Sequence, residues 1–111
     1  LAANGLELGQ VLTVSPRTPE EALWAAEQLL SSHATGALLL WIDTATERAL
    51  RRLQLAAERG GGLAVLFRPA REAARSSPAA LRIAIRPRSR GAEVRVLKCR
   101  GRAPGRRVHV F

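Results

Sequence analysis

The sequence predicts an α/β fold, a parallel strand-and-helix core over about residues 10–67 extended by a basic antiparallel β-meander over about 81–111. Three observations predict it. Short apolar runs at 10–14, 37–42 and 63–67 alternate with two segments of helical periodicity, the βαβαβ order of a parallel sheet with right-handed crossovers. Beyond Phe67 the apolar period shortens to two and Gly/Pro turns appear between the runs. The charge changes sign at the same place: residues 1–66 carry five Arg against seven acids, and residues 67–111 carry thirteen basic side chains against Glu72 and Glu93.

Taken in order, Gln10 to Val14 is β-branched and apolar and leaves at Ser15-Pro16, which predicts a buried strand. Thr18-Pro19-Glu20-Glu21 then offers a capping hydroxyl, a proline at the first helical position and a glutamate three residues after the cap. The predicted helix buries Leu23, Ala26 and Leu29 or Leu30 and ends near Ser32-His33, with Gly36 beyond. Ala37 to Ile42 is apolar without alternation, the pattern of a central strand covered on both faces, with Asp43 at its carboxyl end. A second helix from about Thr46 to Arg59 buries Leu50, Leu53 and Ala57 and stops at three glycines, before a third buried strand, Leu63 to Phe67. Arg68-Pro69 breaks that strand. Leu81 to Arg86, Glu93 to Leu97 and Arg107 to Phe111 are then antiparallel strands, joined by turns at 87–91 and 101–105.

Composition bounds the class. A chain of 111 residues with 47% hydrophobic side chains suits one domain or part of one. It contains no Met and opens on Leu1, which predicts a fragment or processed product. No apolar run reaches the roughly 18 residues of a membrane span, so a cytoplasmic protein without a membrane partner is expected. The single cysteine, Cys99, forms no internal disulfide and no zinc site. A net charge of +9 attracts nucleic acid or an acidic protein surface. Yet seventeen of the 18 basic residues are Arg, a skew that a GC-rich genome also produces, and the aromatic interleaving of single-strand binders is missing.

The segments EALWAAEQLL (21–30), LRRLQLAAE (50–58), LFRP (66–69), SPAALR (77–82) and VLKCRG (96–101), in this order, resemble the ImuA proteins of bacterial damage-induced mutagenesis. The resemblance runs from about Gly5 to Phe111. It implies the C-terminal portion of a single RecA-like domain (a P-loop NTPase fold), related also to the SulA inhibitors of cell division. It further implies a non-catalytic accessory role in SOS-induced translesion DNA synthesis after DNA damage. The implied partners are RecA, an ImuB-like polymerase subunit and an error-prone DnaE-type polymerase, with DNA as a further contact. Two other functions stay open: a SulA-like protein that binds a tubulin-like GTPase, and part of a RecA-like DNA-dependent ATPase. No residue run here matches GxxxxGK[ST], so a phosphate loop, if the parent protein has one, is expected before Leu1.

By the same resemblance Asp43 occupies the strand end from which RecA-like ATPases hold the magnesium shell; otherwise Asp43 or Thr44 helps to cap the next helix. Lys98 and Arg100 are expected on one face at a strand end, where RecA filaments reach a neighbour's nucleotide, or where charge guards a sheet edge against aggregation. Arg102, Arg106 and Arg107 flank a Gly/Pro turn that would contact phosphates or simply be solvated. His33 and His109 lack metal-ligand spacing, and Cys99 lacks the His/Asn set of a catalytic thiol. Trp24 and Trp41 read as core or interface. No catalytic residue, metal or cofactor is expected in this chain.

Overall fold

The computed structural model describes residues 5–101, 105 and 107–110. Helix α1 spans Pro19–Ser31. Thr18 caps it, its hydroxyl accepting from the Glu21 N–H at 3.0 Å, and Glu20 and Glu21 complement the positive end of the helix dipole. The helix stops where the Ser32 hydroxyl donates to the Leu29 carbonyl at 2.7 Å and His33 turns into the left-handed region at φ 63°. Strand β1 is Ala37–Trp41 and helix α2 is Glu47–Gly60, capped by Thr46, whose hydroxyl accepts from the Ala49 N–H at 3.1 Å. Gly61, at φ 73°, ends α2 and leads into strand β2, Leu63–Phe67. A 3-10 turn follows at Ala70–Ala74, and then strands β3 (Leu81–Pro87), β4 (Ala92–Cys99) and β5 (Arg107–Val110).

The fold is mixed α/β with two sheets. β1 and β2 pair in parallel, with Ala37 opposite Leu63 and Trp41 opposite Phe67. β3, β4 and β5 form an antiparallel meander in that order, with a bulge between Arg82 and Ile83. The antiparallel strands expected at 81–86, 93–97 and 107–111 are therefore present, while the parallel core is smaller than expected.

Residues 10–14 are not a strand. Leu8–Gln10 is a 3-10 turn, the Val11 N–H donates to the Leu8 carbonyl at 3.1 Å, and Leu12 is 72% exposed. Valines favour a strand only where a partner strand and a covered face accept them, and this segment pairs with no strand among the described residues. The βαβαβ order thus contracts to a helix followed by βαβ.

Both helices lie on one face of the parallel pair. Ala26 and Leu30 of α1 meet Leu53 and Ala56 of α2, and Leu38, Leu40, Ala64 and Leu66 pack beneath them. Ala56, one position before the expected Ala57, is the fully buried alanine of α2. The helices approach so closely that a Cβ at Gly60 would collide with the backbone carbonyl of Leu30. Arg52 and Glu27 add a two-pronged ion pair across the helices, each contact 3.1 Å. The opposite face of the sheet is bare: Leu39, Trp41, Leu63 and Phe67 are exposed, and the Trp41 and Phe67 rings stack at 4.7 Å. The expectation of a strand covered on both faces is corrected here, because the unbroken apolar run reflects a sheet whose second face these helices do not reach.

Candidate functional site

Loops at the carboxyl ends of parallel strands are where α/β sheets place their ligands. Here the loop after β1 carries Asp43 to Thr46, and the loop after β2 carries Arg68 to Ser76. Between them lies a cleft of about 280 Å3 lined by Ala45, Thr46, Glu47, Arg68, Arg75 and Ser76. Its organising group is Glu72, which is 5% exposed. One carboxylate oxygen accepts from Arg68 Nη2 at 3.3 Å and the other faces Arg75 Nε at 3.1 Å. Arg82 reaches back from β3 and donates to the carbonyls of Glu72 at 3.2 Å and Ala73 at 3.4 Å. Arg68 Nε is buried with no hydrogen-bond partner among the described residues. Sequence reasoning passed over this cluster, although a signal was there. Glu72 is the sole acid between Glu58 and Glu93, and it stands four residues after Arg68 and three before Arg75, spacings that bring side chains together on one turn.

Asp43 stands at the rim of this region with its side chain 80% exposed, 3.9 Å from Arg71 Nη2. It caps nothing, since Thr46 holds that position for α2. Among the described residues no group of three or more His, Cys, Asp or Glu is placed to hold a metal ion.

The second candidate surface is the meander. Strand alternation sorts its side chains into two faces. Arg86, Glu93 and His109 lie in one row across the three strands, and Ala84, Arg95 and Arg107 in the next. Arg95, Arg107 and Arg86 are exposed on this polar face, around a single carboxylate, Glu93. Arg88 donates to Glu93 at 2.7 Å and thereby holds its carboxyl below the ordinary glutamate value; partial desolvation opposes this, and the charges of Arg88, Arg107 and Arg86 reinforce it. The other face carries Leu81, Ile83, Ile85, Val94, Val96 and Val108, and none of the described helices packs across it.

Lys98 and Arg100 sit in different surroundings. Lys98 is half-buried and donates to the Ser77 carbonyl at 2.8 Å, whereas Arg100 is exposed in the turn after β4, its backbone N–H held by the Ala80 carbonyl at 2.9 Å. The bulge sets Lys98 opposite Arg82, and both cations donate to carbonyls of the 72–77 segment. Arg107 opens β5 and is exposed; Arg102 and Arg106 lie outside the described residues. Cys99 is a half-buried free thiol opposite Leu81, and His109 is exposed on β5. Trp24 and Trp41, at 63% and 69% exposed, are not core residues. No helix among the described residues is long and apolar enough to cross a membrane. No family model, curated protein or solved structure matches this chain.

Proposed function

We propose that this chain is the RecA-like portion of an ImuA-type accessory protein of damage-induced translesion synthesis, and that it works by binding, without chemistry of its own. Its contacts would be RecA, a polymerase-associated subunit such as an ImuB-like protein, an error-prone DnaE-type polymerase, or DNA. The resemblance of five ordered segments to ImuA proteins supports the role. The observation that carries the binding mode is the exposed cluster of Arg86, Arg95 and Arg107, in two adjacent rows of the polar face of the meander. Three guanidiniums on neighbouring strands suit a run of phosphates or an acidic protein surface.

The test has two arms. If DNA is the contact, affinity falls with salt with a log–log slope of roughly −2 to −3 for three phosphates, and replacing Arg95 or Arg107 by Ser reduces that slope by about one each. In cells, Arg86→Glu combined with Arg95→Glu is expected to lower damage-induced mutation frequency without filamentation. Unchanged mutagenesis would remove the translesion role, and filamentation on overproduction of the unaltered protein would favour division control instead.

A further inference from the structure

We infer that the apolar face of the meander docks an amphipathic helix with acidic flanks, supplied by a protein partner. This goes beyond the function proposed above, because it concerns the face opposite Arg86, Arg95 and Arg107. Leu81, Ile83, Ile85 and Val108 are 59%, 47%, 61% and 45% exposed and, with Val94 and Val96 between them, form an apolar patch that no described element covers.

The dimensions argue for one helix. β3 has seven residues, which at about 3.3 Å each makes a face about 23 Å long. Beside Ala92–Arg95, where β5 pairs, three strands about 4.8 Å apart make it about 10 Å wide, the diameter of a single helix. About fifteen helical residues span that length at 1.5 Å each.

Charge argues against a second copy. Residues 81–111 carry ten basic side chains against one acid, and the ends of the patch are marked by the exposed Arg90 at one turn and the exposed Arg100 at the other. Two copies face to face would crowd those cations together. Acidic side chains flanking a leucine stripe would complement them.

The probe is a fluorescein-labelled fifteen-residue peptide of designed helical pattern, leucines on one face and glutamates beside them, titrated against the chain and followed by anisotropy. The control peptide has lysine at each glutamate. Saturable binding is expected for the acidic peptide, weakened by salt, and about tenfold weaker for the basic one. Ile83→Ser with Ile85→Ser is expected to weaken it by about tenfold; both positions are open to solvent, so circular dichroism should report an unchanged fold. Arg90→Glu with Arg100→Glu should erase the preference between the peptides, while Arg95→Ser with Arg107→Ser should leave binding intact, which separates this face from the polar one. Four results would each overturn the inference: no binding of the acidic peptide, equal affinity for both peptides, displacement of the peptide by a single-stranded oligonucleotide, or a dimer in sedimentation that the Ile83/Ile85 variant abolishes.

Discussion

Glu72→Gln isolates the charge from the shape of the buried carboxylate. Glutamine fills the same volume and keeps one carbonyl acceptor, but two guanidiniums lose their counter-charge. Arg75 is 75% exposed, so its share is that of a surface pair, about 0–1 kcal/mol. Arg68 is 14% exposed, with Nη2 3.3 Å from Glu72, and a charge-assisted bond at such a site contributes about 1.5–3 kcal/mol. The expected loss is about 2–3 kcal/mol, read as a lower urea midpoint at constant m-value by far-ultraviolet circular dichroism. Adding Arg68→Met removes the stranded cation together with its unpartnered Nε, so the double variant should regain about 1 kcal/mol or more over Glu72→Gln alone. Arg75→Ala should cost under about 1 kcal/mol. The reasoning fails if Glu72→Gln costs no more than Arg75→Ala, or if the double variant is no more stable than the single.

Three further outcomes follow from the geometry. Gly60→Ala should destabilise by more than about 2 kcal/mol, because its Cβ lands on the Leu30 carbonyl, while Gly61→Ala, strained at φ 73° in open space, should cost about 1–2 kcal/mol; reversed order in denaturant unfolding would contradict the packing. Thr46→Ala should cost about 1 kcal/mol and raise amide exchange in the first turn of α2, with no such rise in α1. The depressed Glu93 carboxyl stabilises the hairpin fully above the ordinary glutamate value of 4.5, and that contribution disappears as pH falls through the folded-state value. A carboxyl titration by NMR should show the midpoint rising in Arg88→Ala; an unmoved midpoint would deny Arg88 its leading part.

Local chemistry made much of the fold readable. Thr18-Pro19 starts α1 and Gly61 ends α2 because caps and left-handed glycines act within one turn of chain. The alternation of Leu81, Ile83 and Ile85 with Arg82, Ala84 and Arg86 fixed the two faces of β3. What pattern could not give was partnership. Residues 10–14 have strand-forming side chains and no strand beside them, and the apolar run at 37–42 does not reveal whether one face or two are covered. At the candidate sites, spacing put Lys98 and Arg100 on one face, but it could not reveal that Lys98 is tied to the Ser77 carbonyl while Arg100, past the end of β4, is exposed. Glu72 reads as one acid in a basic stretch; the spacing to Arg68 and Arg75 hints at its partners, but not that Arg82 returns from β3 to its main-chain carbonyl.

Arg82 and Lys98 also have a mechanical consequence. The two sheets share no strand pairing, so the plates are joined by the 68–80 link and by these cations gripping the carbonyls of Glu72, Ala73 and Ser77. Side chains here perform a duty that a shared backbone ladder performs in a continuous sheet, and they do so as a pivot. Tilting one plate stretches three directional contacts without unzipping either set of strands. Load placed on the meander is thereby delivered to the carboxyl-end loop of β2, and the two plates should shed their amide protons as separate populations.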